Sequence, residues 1–139
     1  MSKLTIQGIK GCKQLGHVVY DFSKDGGAFG TPIDLFKMSA DSIVHDFWCE
    51  VEVAPLSLGL ATLEVGITGG DTDAIMAQDA IATFALDLVS PDAMKGADLY
   101  NLGNLKKKYT AETVLSLLIG TAALTAGKVH FYCEYSAGY

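Results

Sequence analysis

Two short stretches far apart in the chain are nearly the same: "FWCE" (Phe47 to Glu50) and "FYCE" (Phe131 to Glu134). Each joins an aromatic pair to a thiol and an acid. Each is therefore either half of a metal or redox site or a strand facing a shared core. Zinc draws its ligands from close pairs such as CxxC or from a nearby histidine ladder, and neither is written here. Cys12, Cys49 and Cys133 are an odd number at wide spacing, which argues against a disulfide framework. Cys49 and Cys133 each sit inside an apolar run, where a free thiol packs as a small hydrophobe. That reading is preferred to a metal or redox role.

The remaining residues with chemical potential are scattered. Asp71 and Asp73 in "GGDTDAIMAQDAI" (Gly69 to Ile81) suggest a calcium loop, but the glycine and terminal glutamate spacing of an EF-hand is missing. Asp71, Thr72 or Asp73 is better read as a cap, opening one or two helical turns in this connection. The glycines of "VGITGGD" could cradle phosphate, yet no GK[ST] or GxGxxG order completes them. His45 is expected to be a hydrogen-bonded core residue and His130 a surface one beside acids, and neither has an obvious nucleophile. No GxSxG, HExxH or Cys/His signature appears. A pair of acids assembled from distant strands is the one catalytic arrangement sequence would hide. The expectation is a protein that is not an enzyme and carries no catalytic residue, cofactor or metal.

The elements that position these residues alternate with period two. In "IVHDFWCEVEV" one face carries Ile43, His45, Phe47, Cys49, Val51 and Val53, and the other carries Val44, Asp46, Trp48, Glu50 and Glu52, which reads as a half-buried strand. "KVHFYCEY" repeats the logic, with Val129, Phe131, Cys133 and Tyr135 inward and Lys128, His130, Tyr132 and Glu134 outward. Both tetrapeptides thus turn Phe and Cys to the core and the second aromatic and Glu to the outside. An antiparallel pairing with Trp48 opposite Tyr132 would set Glu50 favourably against His130 and Asp46 unfavourably against Glu134. "LATLEVGIT" (Leu60 to Thr68) reads as another strand, Ala61, Leu63, Val65 and Ile67 inward against Thr62, Glu64 and Gly66. "ETVLSLLIGTAA" (Glu112 to Ala123), "GHVVYDF" (Gly16 to Phe22) and "ATFALDLV" (Ala82 to Val89) read as strands too, with "SKDGGAFGTP" a loop.

Six to eight short strands in 139 residues, half of them apolar, predict an all-β, single-domain antiparallel β-sandwich. It carries a short helical turn in one loop, with an N-terminal arm over residues 1–15 and the sandwich over 16–139. The net charge is −6 and every basic residue is lysine, so nucleic acid is not an expected partner. No apolar stretch reaches the ~20 residues of a membrane span and no signal peptide pattern opens the chain, so a soluble product of a cytoplasm is expected, without a membrane partner.

Trp48 and Tyr132, with Val44 near Trp48, place apolar surface on faces assigned to solvent. Either a subunit contact or another part of the chain covers them. The basic run "LKKKY", with Lys106, Lys107 and Lys108, reads as a solvated loop that can also dock on an acidic partner. Trp48 and Tyr132 could equally form a stacking platform for a sugar. An immunoglobulin-like domain with Cys49 and Cys133 as its inter-sheet pair is disfavoured, because Trp48 touches the first cysteine and Phe131 stands where the tyrosine of such domains belongs.

The succession "YDFSKDGGAFGTPIDLFKMSADSIVHDFWCEVEVA", "ATLEVGITGGDTDAIMAQ" and "KKYTAETVLSLLIGTAALTAGKVHFYCEY" resembles a group of small tailed-bacteriophage virion proteins, the capsid decoration (cement) and head-fibre-type β-sandwich proteins. The shared features are the "DF…DGG" opening before an alternating strand, the "VG" strand end before an Asp-rich loop, and the "GTA…TAGK" turn before the last strand. They run from about Tyr20 to Tyr135. The two cysteines depart from the pattern, where such proteins usually place an aliphatic residue, and so does the lysine triplet. The resemblance implies a jelly-roll-like sandwich on the exterior of a virion capsid. It would be made in the host cytoplasm and bind the major capsid protein as a homo-oligomer, commonly a trimer, bridging neighbouring subunits. The alternative it leaves is a glycan-binding or adhesion module of a head fibre or receptor-contact protein.

Overall fold

The computed structural model describes residues 4–6, 12–86 and 107–137. Among these the chain forms β1 (Leu4–Ile6), β2 (Lys13–Asp21), α1 (Phe22–Asp25), β3 (Ile33–Met38), β4 (Ser42–Ser57), β5 (Thr62–Ile67), β6 (Met76–Ala80), a 3-10 turn (Ile81–Thr83), β7 (Lys107–Tyr109), β8 (Thr113–Gly120) and β9 (Leu124–Ser136). One sheet has the order β2-β9-β4-β7 and the other β1-β3-β8-β5-β6. Neighbours are antiparallel except β1, which adds parallel to β3. Apart from β1, a strand of one sheet is usually followed by a strand of the other, with only the β5–β6 hairpin staying in its own sheet, so the two sheets wind together as in a jelly roll. The result is an all-β, jelly-roll-like sandwich.

Between the sheets lie Tyr20, Leu35, Phe36, Met38, Phe47, Leu63, Ile75, Met76, Phe84 and Phe131, all fully buried. Phe36 of β3 meets Phe47 of β4 edge to face across the gap, with centroids 5.9 Å apart, the geometry favoured by ring quadrupoles. Cys49 and Cys133 are buried free thiols and Cys12 is exposed. Burial raises the Cys133 thiol pKa far above its ordinary value, so it stays protonated and inert.

β4 and β9 pair with Phe47 opposite Cys133, Trp48 opposite Tyr132, Cys49 opposite Phe131, Glu50 opposite His130 and Asp46 opposite Glu134. This is the register expected from the two tetrapeptides. Each phenylalanine faces the other strand's cysteine, so large fills against small.

The alternation of β4 fails at its two ends. The register shifts between Val44 and Asp46 and again between Val51 and Val53, as β-bulges do, and each extra residue reverses the inward phase. Val44 is therefore fully buried, not outward as expected, Ile43 is only half-buried, and Val53 is exposed. His45 sits in the first bulge, where its Nε2 lies 2.6 Å from the Ser136 hydroxyl.

The helical turn is not in residues 69–81. It is α1, directly after β2, and its residues explain it. The Asp21 carboxylate accepts from the Ser23 N–H at 3.0 Å, Asp25 accepts from the Asp21 N–H at 2.9 Å, and Gly26 at φ 75° ends the turn. The Tyr20 hydroxyl donates to the Gly26 carbonyl at 2.7 Å. Residues 69–75 instead form turns, in which Asp71 caps the Asp73 N–H at 3.3 Å, and β6 follows. The strand expected over 82–89 is replaced, within the described residues, by the 3-10 turn that inserts Phe84 into the core.

Candidate functional site

The outer face of the four-stranded sheet carries a row of side chains across β4, β9 and β2. The register sets Trp48, Tyr132 and His17 side by side. Trp48 stacks on Tyr132 with centroids 5.5 Å apart and planes 12° from parallel. His17 stacks on Tyr132 at 4.7 Å and 14°. These spacings are close to the ~4.8 Å between strands, so the rings stand upright on the sheet like books on a shelf. Tyr132 has a neighbour on each ring face, and the row offers ring edges to solvent. Burial, and then the Glu50 charge, raise the Tyr132 hydroxyl above its ordinary range, so it remains a hydrogen-bond donor.

A second chain of contacts runs along this row. His17 Nε2 lies 2.7 Å from His130 Nδ1, and His130 Nε2 lies 2.9 Å from Glu52 Oε1. Glu52 is also paired with Lys128 at 2.8 Å. The two imidazoles are within 4° of coplanar with centroids 5.0 Å apart. The N···N contact plus the two ring radii accounts for that whole separation, so the rings meet edge to edge in one plane through the hydrogen bond and do not lie face on face. Hydrogen bonds from Lys128 and then His130 hold the Glu52 carboxyl below its ordinary pKa. Around the row, β4 and β9 set Asp46, Glu50, Glu52 and Glu134 against Lys13 of β2 and Lys128, so the face is acidic.

Of the residues expected at a contact surface, the structure brings Trp48 and Tyr132 together and removes Val44 to the core. Lys107–Tyr109 are not a loop: they form β7 and pair with Ser42–Val44. Lys108 is exposed and lies 4.0 Å from Asp41, away from the aromatic row; lysine on such a sheet edge discourages pairing with other chains. Lys106 lies outside the described residues. His17 and Glu52 were not singled out by sequence reasoning, although His17 falls on the outward phase of an alternating strand. Among the described residues no three His, Cys, Asp or Glu side chains are arranged to hold a metal ion.

The most exposed apolar residues lie elsewhere. Leu58 is 97% exposed and Leu60 is 86% exposed, in the β4–β5 connection, and Leu56 and Phe29 are also exposed. Backbone contacts bring these loops to one end of the sandwich. The Leu124 N–H donates to Gly27 O at 2.8 Å, Gly30 N–H to Ile119 O at 2.8 Å, and the Ser57 hydroxyl to Ala123 O at 2.7 Å. Exposed apolar side chains on loops that share one end of the sandwich are more than scattered surface hydrophobes.

No protein-family model matches the sequence, and no curated protein matches it significantly. Solved structures do share the fold. A chain from the acidic stable capsid structure of Helicobacter pylori bacteriophage KHP30 superposes with a TM-score of 0.59 at 16% identity, covering 94% of this chain and 92% of its own. A chain of the cyanophage Pam1 capsid asymmetric unit gives 0.63 at 15%, covering 94% and 89%. A chain of the capsid of Ralstonia phage GP4 gives 0.52 at 14%, covering 96% and 92%.

Proposed function

We propose that this chain is a bacteriophage virion protein, a decoration or cement protein that binds the outer surface of the head and bridges major capsid subunits as a homo-oligomer, in trimers. The observation that carries the reading is the near end-to-end agreement of this chain with chains from three phage capsids, on both sides of each comparison. A rigid sandwich seated on a shell would act through its interfaces. Two surfaces suit that use: the acidic ring row of Trp48, Tyr132 and His17, and the apolar tip with Phe29, Leu58 and Leu60. An acidic face steers toward a basic partner surface and fixes its register, while a leucine tip supplies burial. Bridging adds contacts that shell expansion must break, and many copies multiply modest affinities. The protein acts by binding, not by catalysis.

The glycan-binding reading cannot use Tyr132 as a platform, because a sugar stacks on a free ring face and both faces of Tyr132 are occupied by Trp48 and His17, so it would rest on Trp48.

The test is co-sedimentation and negative-stain imaging of the purified protein with undecorated heads built from the major capsid protein of the same genome. Binding to the outside of the heads is expected, and no binding together with a positive glycan array would reverse the choice. Trp48→Ser combined with Tyr132→Ser should leave the protomer folded and lower the mass seen in light scattering. An unchanged mass would remove the row from the self-contact.

A further inference from the structure

The bond between His17 and His130 adds a side-chain link to the backbone ladder between the edge strand β2 and β9, and its proton count is limited. His130 Nε2 faces the Glu52 carboxylate at 2.9 Å, which can only accept. A proton therefore sits on that nitrogen. On the other side, His130 Nδ1 and His17 Nε2 are 2.7 Å apart, in line and coplanar, with room for one proton between them. With both rings neutral, His17 Nε2–H donates to His130 Nδ1. One further proton, on either ring, keeps the link and makes it charge-assisted. A second further proton puts N–H against N–H, and the link cannot survive.

We propose that the His17–His130 pair is a proton-gated latch on the outer sheet face, closed with up to one extra proton and opened by a second, which releases His17 from the Trp48–Tyr132 row. The groups facing His17 set its threshold. On β9 these are His130 and Tyr132, flanked by Lys128 and Glu134; on β4 they are Glu50 and Glu52; on β2 itself, Lys13 and Asp21 lie towards the strand ends. Partial burial and the neighbouring His130 lower the affinity of His17 for the second proton, and Glu50 opposes them. The folded protein thus binds fewer protons here than the unfolded chain does. The latch contributes its full stability above the ordinary histidine value of 6.5 and loses it as the pH falls below that value.

Opening changes the surface the proposed function relies on. Trp48 and Tyr132 lose the third ring of the row, and the doubly charged histidine pair offsets the acids around it. If that row is a capsid or self-contact, the contact loosens in acid; this consequence rests on the proposed function, while the latch does not.

Nitrogen-detected NMR of the histidine rings in the full chain, followed from pH 8 to pH 4.5, tests the latch directly. Two resolved titration steps are expected, as interacting sites require, with the His17 and His130 ring signals linked through the upper step and separated in the lower one. His17→Phe keeps a ring beside Tyr132 and cannot take a proton, so the coupled two-step behaviour of the ring signals should be lost. Between pH 7 and pH 5 the melting midpoint of the natural protein should fall a few degrees further than that of His17→Phe, a comparison in which the carboxylates shared by both cancel. One common step for both histidines, or equal falls in the two proteins, would overturn the latch. Light scattering over the same pH range reads the contact separately. If the NMR shows the latch opening while the mass stays constant, the latch stands and the row is not the self-contact.

Discussion

Gly66 in the middle of β5 lies under the loop that returns from the same strand, and replacing it with alanine should cost more than any other single methyl group added to this sheet. A Cβ at Gly66 would overlap the Asp71 carbonyl and the Thr72 backbone, far inside the 3.0 Å that real Cβ atoms keep. The obstacle is backbone and no side chain can swing aside, so the loop must retreat by about 1 Å to restore ordinary contact. That movement strains two hydrogen bonds, Ile67 N–H to Asp71 O at 2.8 Å and Ile75 N–H to Val65 O at 3.0 Å. At ~1 kcal/mol net for each bond, plus ~1–2 kcal/mol of overpacking, the loss is about 3–4 kcal/mol. For a domain of this size that lowers the melting midpoint by ~10 °C. Thermal unfolding by circular dichroism at pH 7 reads it. Gly70→Ala is the control in the same loop, because its Cβ would meet Ile67 alone, with the Cγ2 methyl at 3.3 Å and the carbonyl oxygen at an ordinary 3.8 Å, and it should stay within ~0.5 kcal/mol. If Gly66→Ala melts with the natural protein, the loop does not lie on β5 as described.

Three further outcomes are expected. Cys49→Asp buries a charge at a fully enclosed site and should cost ~3–5 kcal/mol in denaturant unfolding, while Cys49→Val should stay within ~1.5 kcal/mol; a stable aspartate variant would show that Cys49 faces outward. Glu64 is only 7% exposed, and burial raises its carboxyl above the ordinary 4.5, opposed by the Thr72 hydroxyl and reinforced by Asp73 and Asp71. A raised carboxyl contributes stability below 4.5 that is lost as the pH climbs through its folded value, so Glu64→Gln should gain on the order of 1 kcal/mol at pH 7, and calorimetry showing a loss would refute this. Leu58→Ser with Leu60→Ser should leave unfolding within ~0.5 kcal/mol, since both side chains are exposed, yet weaken co-sedimentation with heads; undiminished binding would clear the tip of a role.

What could be read from the sequence was whatever a single strand decides alone. Period two in β4, β5 and β9 assigns inward and outward faces through most of each strand, β2 and β8 were legible only as strands, and the tetrapeptides were enough to choose the Trp48–Tyr132 register. What could not be read depends on a second segment. Val44 turns inward because of a bulge that exists only against β9. Glu64 is outward by alternation and buried because the loop with Thr72 folds back over it. β3 escaped notice because Leu35 and Phe36 are adjacent and both fully buried, beside a register shift between Asp34 and Phe36, so its local pattern is not alternating. The His17–His130 bond requires the β2–β9 register, and no pattern within β2 states it.

The repeated tetrapeptide is best understood as a lock on register. Pairing Phe47 with Cys133 and Cys49 with Phe131 is self-complementary, because each strand offers large then small to a partner running the other way. A slip of one residue would reverse the faces of one strand against the other, turning either Trp48 or Tyr132 into the core and that strand's cysteine out. A slip of two keeps the faces but either sets Phe47 against Phe131, bringing two rings to one spot in the core, or sets Cys49 against Cys133 with Phe47 against Tyr135, so that small meets small and large meets large. Only the observed register fills the interior evenly, and it leaves Trp48 opposite Tyr132 on the outside. The core and the ring row are therefore two faces of one pairing. A change such as Cys133→Leu, which crowds Phe47 from within, should disturb the Trp48 fluorescence on the opposite face of the sheet, whereas the same gain in volume at exposed Val53 should leave it unchanged.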